Sequence, residues 1–196
     1  PTPWPTFTPK PTDTPTPAPI VLQNPGFEGI GGNEIPYWQT GAFVNWWPGD
    51  KFDPVASFAQ PRFKQAQDPR QWITGPTLQI DTEPWVKLKA WVYQVVEVPP
   101  GTRVQFRARA FGLVRELEGG YIMRAGIDPN GGAGCDGARW SDNPIYNQNA
   151  GIVTLTSPRV TAGSAGKVTV CLYAETQYAQ AWHAAFFDDA ELLVGR

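Results

Sequence analysis

The sequence predicts an antiparallel, two-sheet β-sandwich of the jelly-roll kind, preceded by an extended polyproline-type tail. Three observations carry this. Short stretches of alternating apolar and polar residues are separated by Gly, Pro, Asn and Asp. No segment longer than a turn or two holds a 3.6-residue apolar period. The 196-residue chain is also rich in turn formers and large rings, with 20 glycines, 21 prolines and nine tryptophans.

The chain divides at residue 20, into a tail (1–19) and a globular domain (20–196). The tail reads PTPWPTFTPKPTDTPTPAP, in which eight residues are proline and six threonine. Proline fixes φ and lacks the N–H, so polyproline II is the expected conformation. A plain reading is a secreted linker, open to glycosylation at Thr12, Thr14 and Thr16. Trp4 and Phe7 are unusual inside a spacer and read as anchors that dock in grooves. At about 3.1 Å per residue the tail reaches roughly 59 Å, against about 40 Å for the width of the domain. It can therefore lie along its own domain or cross a neighbour, which would generate a ring or an open fibre. The opening at Pro1, without an initiating methionine, reads as a processed product or a cut piece.

Strands are expected at 20–23, 77–81, 88–98, 102–111, 121–127, 152–157, 167–175 and 184–194. The stretch 102–111 alternates cleanly, with Val104, Phe106, Ala108 and Ala110 on one face. Its other face carries Gln105, Arg107, Arg109 and Phe111. The stretch 167–175 sets Val168, Val170 and Leu172 against Thr169, Cys171 and Tyr173. The first and last strands are expected to be neighbours. PPG (99–101) and DPNGG (128–132) read as turns; the latter lacks the oxygen ligands of a calcium loop at Gly132 and beyond.

Sixteen basic and 18 acidic residues give a net charge of −2, and no basic stripe of the kind a nucleic-acid surface needs is visible in the sequence, which argues against a nucleic-acid partner. No apolar run approaches the 18 residues of a membrane span. Catalytic motifs are missing as well: the single His183, next to Trp182, has no companion and reads as a surface or loop residue. The protein is expected to be no enzyme.

Several segments, in order, resemble the carbohydrate-binding-module jelly rolls of the family 4, 9, 16 and 22 type. They are NPGFEG (24–29), PYWQTG (36–41), YQVVEVPPGTRVQFRARAFG (93–112) and FFDDAELLV (186–194). GIDPNGG (126–132) followed by Trp140 resembles versions of this domain that carry Pro/Thr-rich tails. The resemblance covers residues 20–195 and implies a structural calcium ion shared by the first Glu and a last-strand Asp. Glu28 and Asp188 are the implied ligands, with Asp189, Asp50 and Asp53 as further donors. A hard cation of this kind takes six to eight oxygens. Asp188 is expected on the Phe186, Ala190 and Leu192 side, pointing inward. The other reading is two carboxylates satisfied by backbone N–H groups or a basic side chain.

Cys135 and Cys171 are the only cysteines. In a chain that looks exported they should form a disulfide, worth roughly 3–4 kcal/mol in the chain-entropy account. Two isolated buried thiols are the alternative. Trp91 and Tyr93 share a strand face, and by parity Arg107, Arg109, Arg124 and Tyr173 are expected to pave the same non-core face, with Trp47 nearby. Such a set suits either a sugar chain or a protein partner. Trp38, Trp85 and Trp140 are expected to fill the core or cover loops.

Two functions fit these residues. The first is an extracellular, self-assembling subunit, a homopolymer held by its tail docking on a neighbour's Trp91, Tyr93, Arg107 and Arg109 face. The second is a carbohydrate-binding module attached through a linker to a secreted or cell-surface protein.

Overall fold

A computed structural model describes residues 19–115, 119–142, 145–146 and 151–195. Residues 1–18 lie outside these, and with them Trp4, Phe7 and the docking expectation. The described strands, in chain order, are β1 (Gln39–Ala42), β2 (Arg62–Gln65), β3 (Leu78–Asp81), β4 (Lys89–Glu97), β5 (Arg103–Val114) and β6 (Tyr121–Asp128). They continue as β7 (Arg139–Trp140), β8 (Ile145–Tyr146), β9 (Val153–Thr156), β10 (Val160–Thr161), β11 (Lys167–Thr176) and β12 (His183–Gly195). The first sheet runs β1-β4-β11-β6-β7, with β8 also on β6; the second runs β10-β5-β12-β3-β2, with β9 also on β5. Every named pairing is antiparallel. The helical content of the described residues is one 3-10 turn at Pro69–Gln71.

The sheets stack because each strand alternates. Val92, Val170, Leu172, Met123 and Ile127 face inward from the first sheet, and Val104, Phe106, Ile80 and Phe187 from the second. Each large apolar side chain so buried contributes about 1.5–3 kcal/mol. Residues between them in sequence are thereby committed to the two outer faces. Gly101, at φ 82°, closes the β4–β5 turn that the PPG motif predicted.

Three expectations need correction. Residues 20–23 form no strand. Gln23 instead exchanges two hydrogen bonds with the side chain of Gln94 on β4, at 2.8 and 2.9 Å. The opening chain does lie beside β12, but as a turn: Pro25 O accepts Ala190 N–H at 2.9 Å, with Asn24 and Phe27 at φ 46° and 53°. The first true strand, β1, is in the opposite sheet from β12.

Asp188 does not face the core. The β5–β12 register shifts between Asp188 and Glu191, with Asp189 at φ 49°. This bulge inserts a residue, so Phe187 and Ala190 face inward, while Phe186 and Asp188 face outward. Both outward residues are still covered. Phe186 stacks on Phe111 at 4.4 Å beneath Ala66 and Ile73. Asp188 sits beneath Thr74 and Thr77 of the same segment.

His183 is no surface residue. It is 2% exposed, with Nδ1 2.6 Å from the Tyr121 hydroxyl and Nε2 2.9 Å from Val86 O. Its partners come from distant parts of the chain, which is why its neighbours in sequence do not reveal its burial.

The face assignment is testable within one strand. Phe106→Ala should cost about 3–5 kcal/mol in chemical denaturation. Arg107→Ala, one residue along and outward, should cost less than about 1 kcal/mol.

Candidate functional site

The outer face of the first sheet collects most of the predicted aromatic set. Strand register places Gly41, Trp91, Tyr173 and Arg124 in one row across β1, β4, β11 and β6. The adjacent row is Gln39, Tyr93, Cys171, Gly126 and Trp140. Gly41 and Gly126 are the floor beneath two indoles. A Cβ at Gly41 would collide with the Trp91 ring, and one at Gly126 with the Trp140 ring. Both tryptophans therefore lie down over the sheet where no side chain stands up.

From Trp140 a chain of contacts runs across the face. Trp140 and Tyr173 have ring centroids 5.7 Å apart, tilted by 59°. The Arg124 guanidinium is 5.9 Å from the Tyr173 centroid, and its buried Nε has no hydrogen-bond partner among the described residues. The Tyr173 hydroxyl donates to Glu175, whose carboxylate also lies 3.8 Å from Lys89 Nζ. Burial first, and then that hydrogen bond, hold the phenol well above its usual pKa, so it remains a donor. Lys89 in turn lies 5.7 Å from the Phe43 ring, and Phe43 packs edge-on against Phe58 at 5.5 Å.

One end of this face is walled by the loop after β6. Asp128 caps it, accepting from Asn130 N–H at 2.8 Å and Gly132 N–H at 3.0 Å. The turn reading of DPNGG is thus correct. Thr169 donates to Gly132 O at 2.6 Å. The disulfide between Cys135 and Cys171, expected from the cysteine count, fastens the loop to β11, with Cα atoms 6.0 Å apart. Because Cys171 faces outward, the bond fixes the wall to the face.

Other predicted members fall elsewhere. Arg107 and Arg109 do face outward, but from the second sheet. There they pair with Glu191 at 2.5 Å and Asp189 at 3.1 Å. Parity gives the face of a strand and is silent about which sheet holds it. Trp47 is 57% exposed in the loop after β1, where Asp50 accepts its N–H at 3.0 Å. Trp38 is core, as expected, whereas Trp85 is 57% exposed at φ 62°. Trp140, expected to be filler, belongs to the outer face. Its strand has two residues, too short for a period to show.

The carboxylates expected to hold calcium are split. Asp189 is committed to Arg109 and to Thr74 Oγ1 at 2.5 Å. Asp50 is engaged with Trp47 N–H, and Asp53 accepts from Val55 N–H at 2.8 Å within its own loop. Asp188 and Glu28 meet around Gly26: a Cβ there would lie 3.7 Å from Asp188 Oδ1 and 3.8 Å from Glu28 Oε1. Asp188 is 3% exposed and accepts from Thr77 Oγ1 at 2.9 Å, Thr74 N at 3.3 Å and Asp189 N at 2.8 Å. Burial is the largest influence on its carboxyl and pushes its pKa up despite these donors. These two carboxylates stand as a pair: among the described residues no group of three or more His, Cys, Asp or Glu side chains is gathered as a metal site.

No family model matches the chain, and neither does any curated protein. Solved structures share its fold. A family 61 carbohydrate-binding module, in complex with β-1,4-galactotriose, aligns with a TM-score of 0.60 and 17% identity, covering 91% of this chain and all of that one. A Stig cyclase from Fischerella sp. TAU aligns with a TM-score of 0.52 and 13% identity, covering 90% and 96%. A further cyclase from Fischerella sp. TAU gives 0.53 and 12%, with the same coverage. The chain has the two-sheet jelly-roll fold that these proteins share. At such identities the likeness is one of fold, and the fold serves binding and catalysis alike.

Asp188 makes a pH prediction for chelator-treated protein. Its carboxyl is pushed above the ordinary value of 3.8, so its contribution to stability is full below that value and lost as pH rises through the folded pKa. Melting temperatures measured in EDTA across this range should therefore fall less with rising pH in Asp188→Asn than in the parent. Equal pH profiles would contradict the assignment.

Proposed function

We propose that this protein is a non-catalytic, extracellular binding module that holds a polysaccharide on the outer face of its first sheet. The observation that carries the reading is the row of Trp91 and Tyr173 beside Trp140, with both indoles laid over glycines and an Arg124 guanidinium among the rings. Flat rings stack on the CH faces of sugars, and planar or charged polar groups bond the hydroxyls between them. The Arg124 guanidinium brings a planar cation to the rings, Glu175 can accept, and Lys89 and Gln39 stand at the margins. The disulfide keeps the wall beside the platform in place before the ligand arrives, which lowers the ordering cost of binding. A disulfide also suits an oxidising, extracellular setting.

Calcium enters the same proposal as a structural ion. Glu28 and Asp188 would hold it at the turn where the opening chain meets β12. Its charge would compensate the buried Asp188 carboxylate and fasten the N-terminal segment. Self-assembly through tail docking, the first function read from the sequence, draws no support from the described residues, so the module reading takes precedence.

The family 61 module that shares the fold holds a galactotriose, which makes β-1,4-galactan a rational first member of a polysaccharide panel. In affinity electrophoresis the protein should be retarded by at least one neutral polymer. Trp140→Ala and Tyr173→Ala should each weaken that retardation about tenfold, near 1.4 kcal/mol. Arg107→Ala, on the other sheet, should leave it unchanged. Retardation by no polymer, or variants on the two sheets that behave alike, would overturn the reading.

For the ion, EDTA should lower the melting temperature and added calcium restore it, with Glu28→Gln losing the response. Indifference of the parent protein to both treatments would remove calcium from the account.

A further inference from the structure

Four arginines are paired with carboxylates: Arg62, Arg70, Arg107 and Arg109. Arg103, Arg139 and Arg159 are not. They are exposed, and none forms an ion pair with a described carboxylate. Yet they converge. All three line one cavity of about 470 Å³, together with Val160 and Thr161.

The fold brings them there from three places. Arg103 begins β5 and pairs with Thr161 of β10 on one side and Gly195 of β12 on the other. Arg159 immediately precedes β10, and its recorded side-chain bond is a long one, Nε to Gln105 Oε1 at 3.4 Å. Arg139 comes from β7, at the edge of the opposite sheet. The cavity therefore bridges the two sheets at one margin of the sandwich. A second depression of about 180 Å³ shares Arg103 and Arg159 and continues along Leu193 to Gly195, so the same two arginines border both.

Three arginines that line one depression, none ion-paired with a described carboxylate, make it cationic, and a bound oxyanion offsets that charge. Guanidinium is the side chain best matched to carboxylate and sulfate, through paired N–H donors in one plane. The whole chain carries a net charge of −2, so this patch departs from its surroundings. It is also too compact to track a nucleic-acid backbone.

We propose that Arg103, Arg139 and Arg159 form a second binding site, which takes the carboxylate or sulfate groups of an acidic polysaccharide. The choice of a polysaccharide to carry the anion rests on the platform reading above; the oxyanion site does not. The link is β7 itself. Its two residues are Arg139, lining the cationic cavity, and Trp140, on the aromatic platform. Neighbours on a strand point to opposite faces, so a sugar chain that turns around this edge strand meets a stacking ring on one side and an anion site on the other.

The test uses the full chain and three polymers at low and high salt: polygalacturonate, a sulfated galactan and a neutral galactan. The parent should bind at least one acidic polymer, with affinity falling as salt screens the charges. Arg103→Gln combined with Arg159→Gln should weaken that binding tenfold or more, and Arg139→Gln alone should weaken it measurably. Loss with polygalacturonate assigns the site to carboxylates, and loss with the sulfated polymer to sulfates. Unaltered melting temperatures of the variants exclude misfolding as the cause. Binding of neither acidic polymer, or equal binding by parent and variants, overturns the proposal. Binding of the neutral polymer is read separately with Trp140→Ala, so failure of the platform and failure of the anion site are distinguishable.

Discussion

Apolar contact between the two sheets fixes which way every other side chain points. Phe106 and Phe187 from one sheet meet Val92, Leu172 and Met123 from the other, and each is essentially sealed from water. Because strand side chains alternate, sealing these residues obliges Trp91, Tyr173 and Arg124 to stand on the outer face of the first sheet. The same contact sends Arg107 and Arg109 to the outside of the second. A slip of one residue in β4 or β11 would bury the polar members of the platform and expose valines. The platform is thus a consequence of the core, and its geometry is as rigid as the core is.

Where the alternation breaks, the break has a use. Asp188 points outward with Phe186, beneath Thr74 and Thr77 and next to the turn carrying Gly26 and Glu28, and the bulge that follows it returns Ala190 to the core. Without it, Asp188 and Ala190 would share a face, and Ala190 would leave the core. The bulge also lets Asp189 reach Arg109, so two adjacent carboxylates have different partners: one a fixed guanidinium, the other the place proposed for an ion. Burial beneath the 66–77 segment raises the Asp188 pKa, which is the state a bound cation would reverse.

Much of this was legible in the sequence, for identifiable reasons. Alternation in 102–111 and 167–175 is long enough to reveal both faces, and both appear as read. The cysteine pair was legible because two cysteines allow one bond. Other features depend on distance in sequence and left no local trace. The burial of His183 comes from Tyr121 and Val86, far away along the chain. Trp140 occupies a two-residue strand and is recognisable only once Gly126 is known to lie opposite. Arg107 was assigned to the right kind of face on the wrong sheet, since period-2 patterning carries no information on strand order. The opening 20–23 segment has strand-like residues, but its bonds go to the side chain of Gln94.

The central claim is that the rings of the first sheet's outer face are a ligand surface. The most direct measurement follows the indole N–H signals of the nine tryptophans by two-dimensional NMR while an oligosaccharide of the bound polymer is added. Trp91 and Trp140 should shift together and saturate at one concentration, while Trp38 in the core and the exposed Trp47 and Trp85 stay in place. Shifts confined to Trp47 or Trp85, with Trp91 and Trp140 unmoved, would contradict the account.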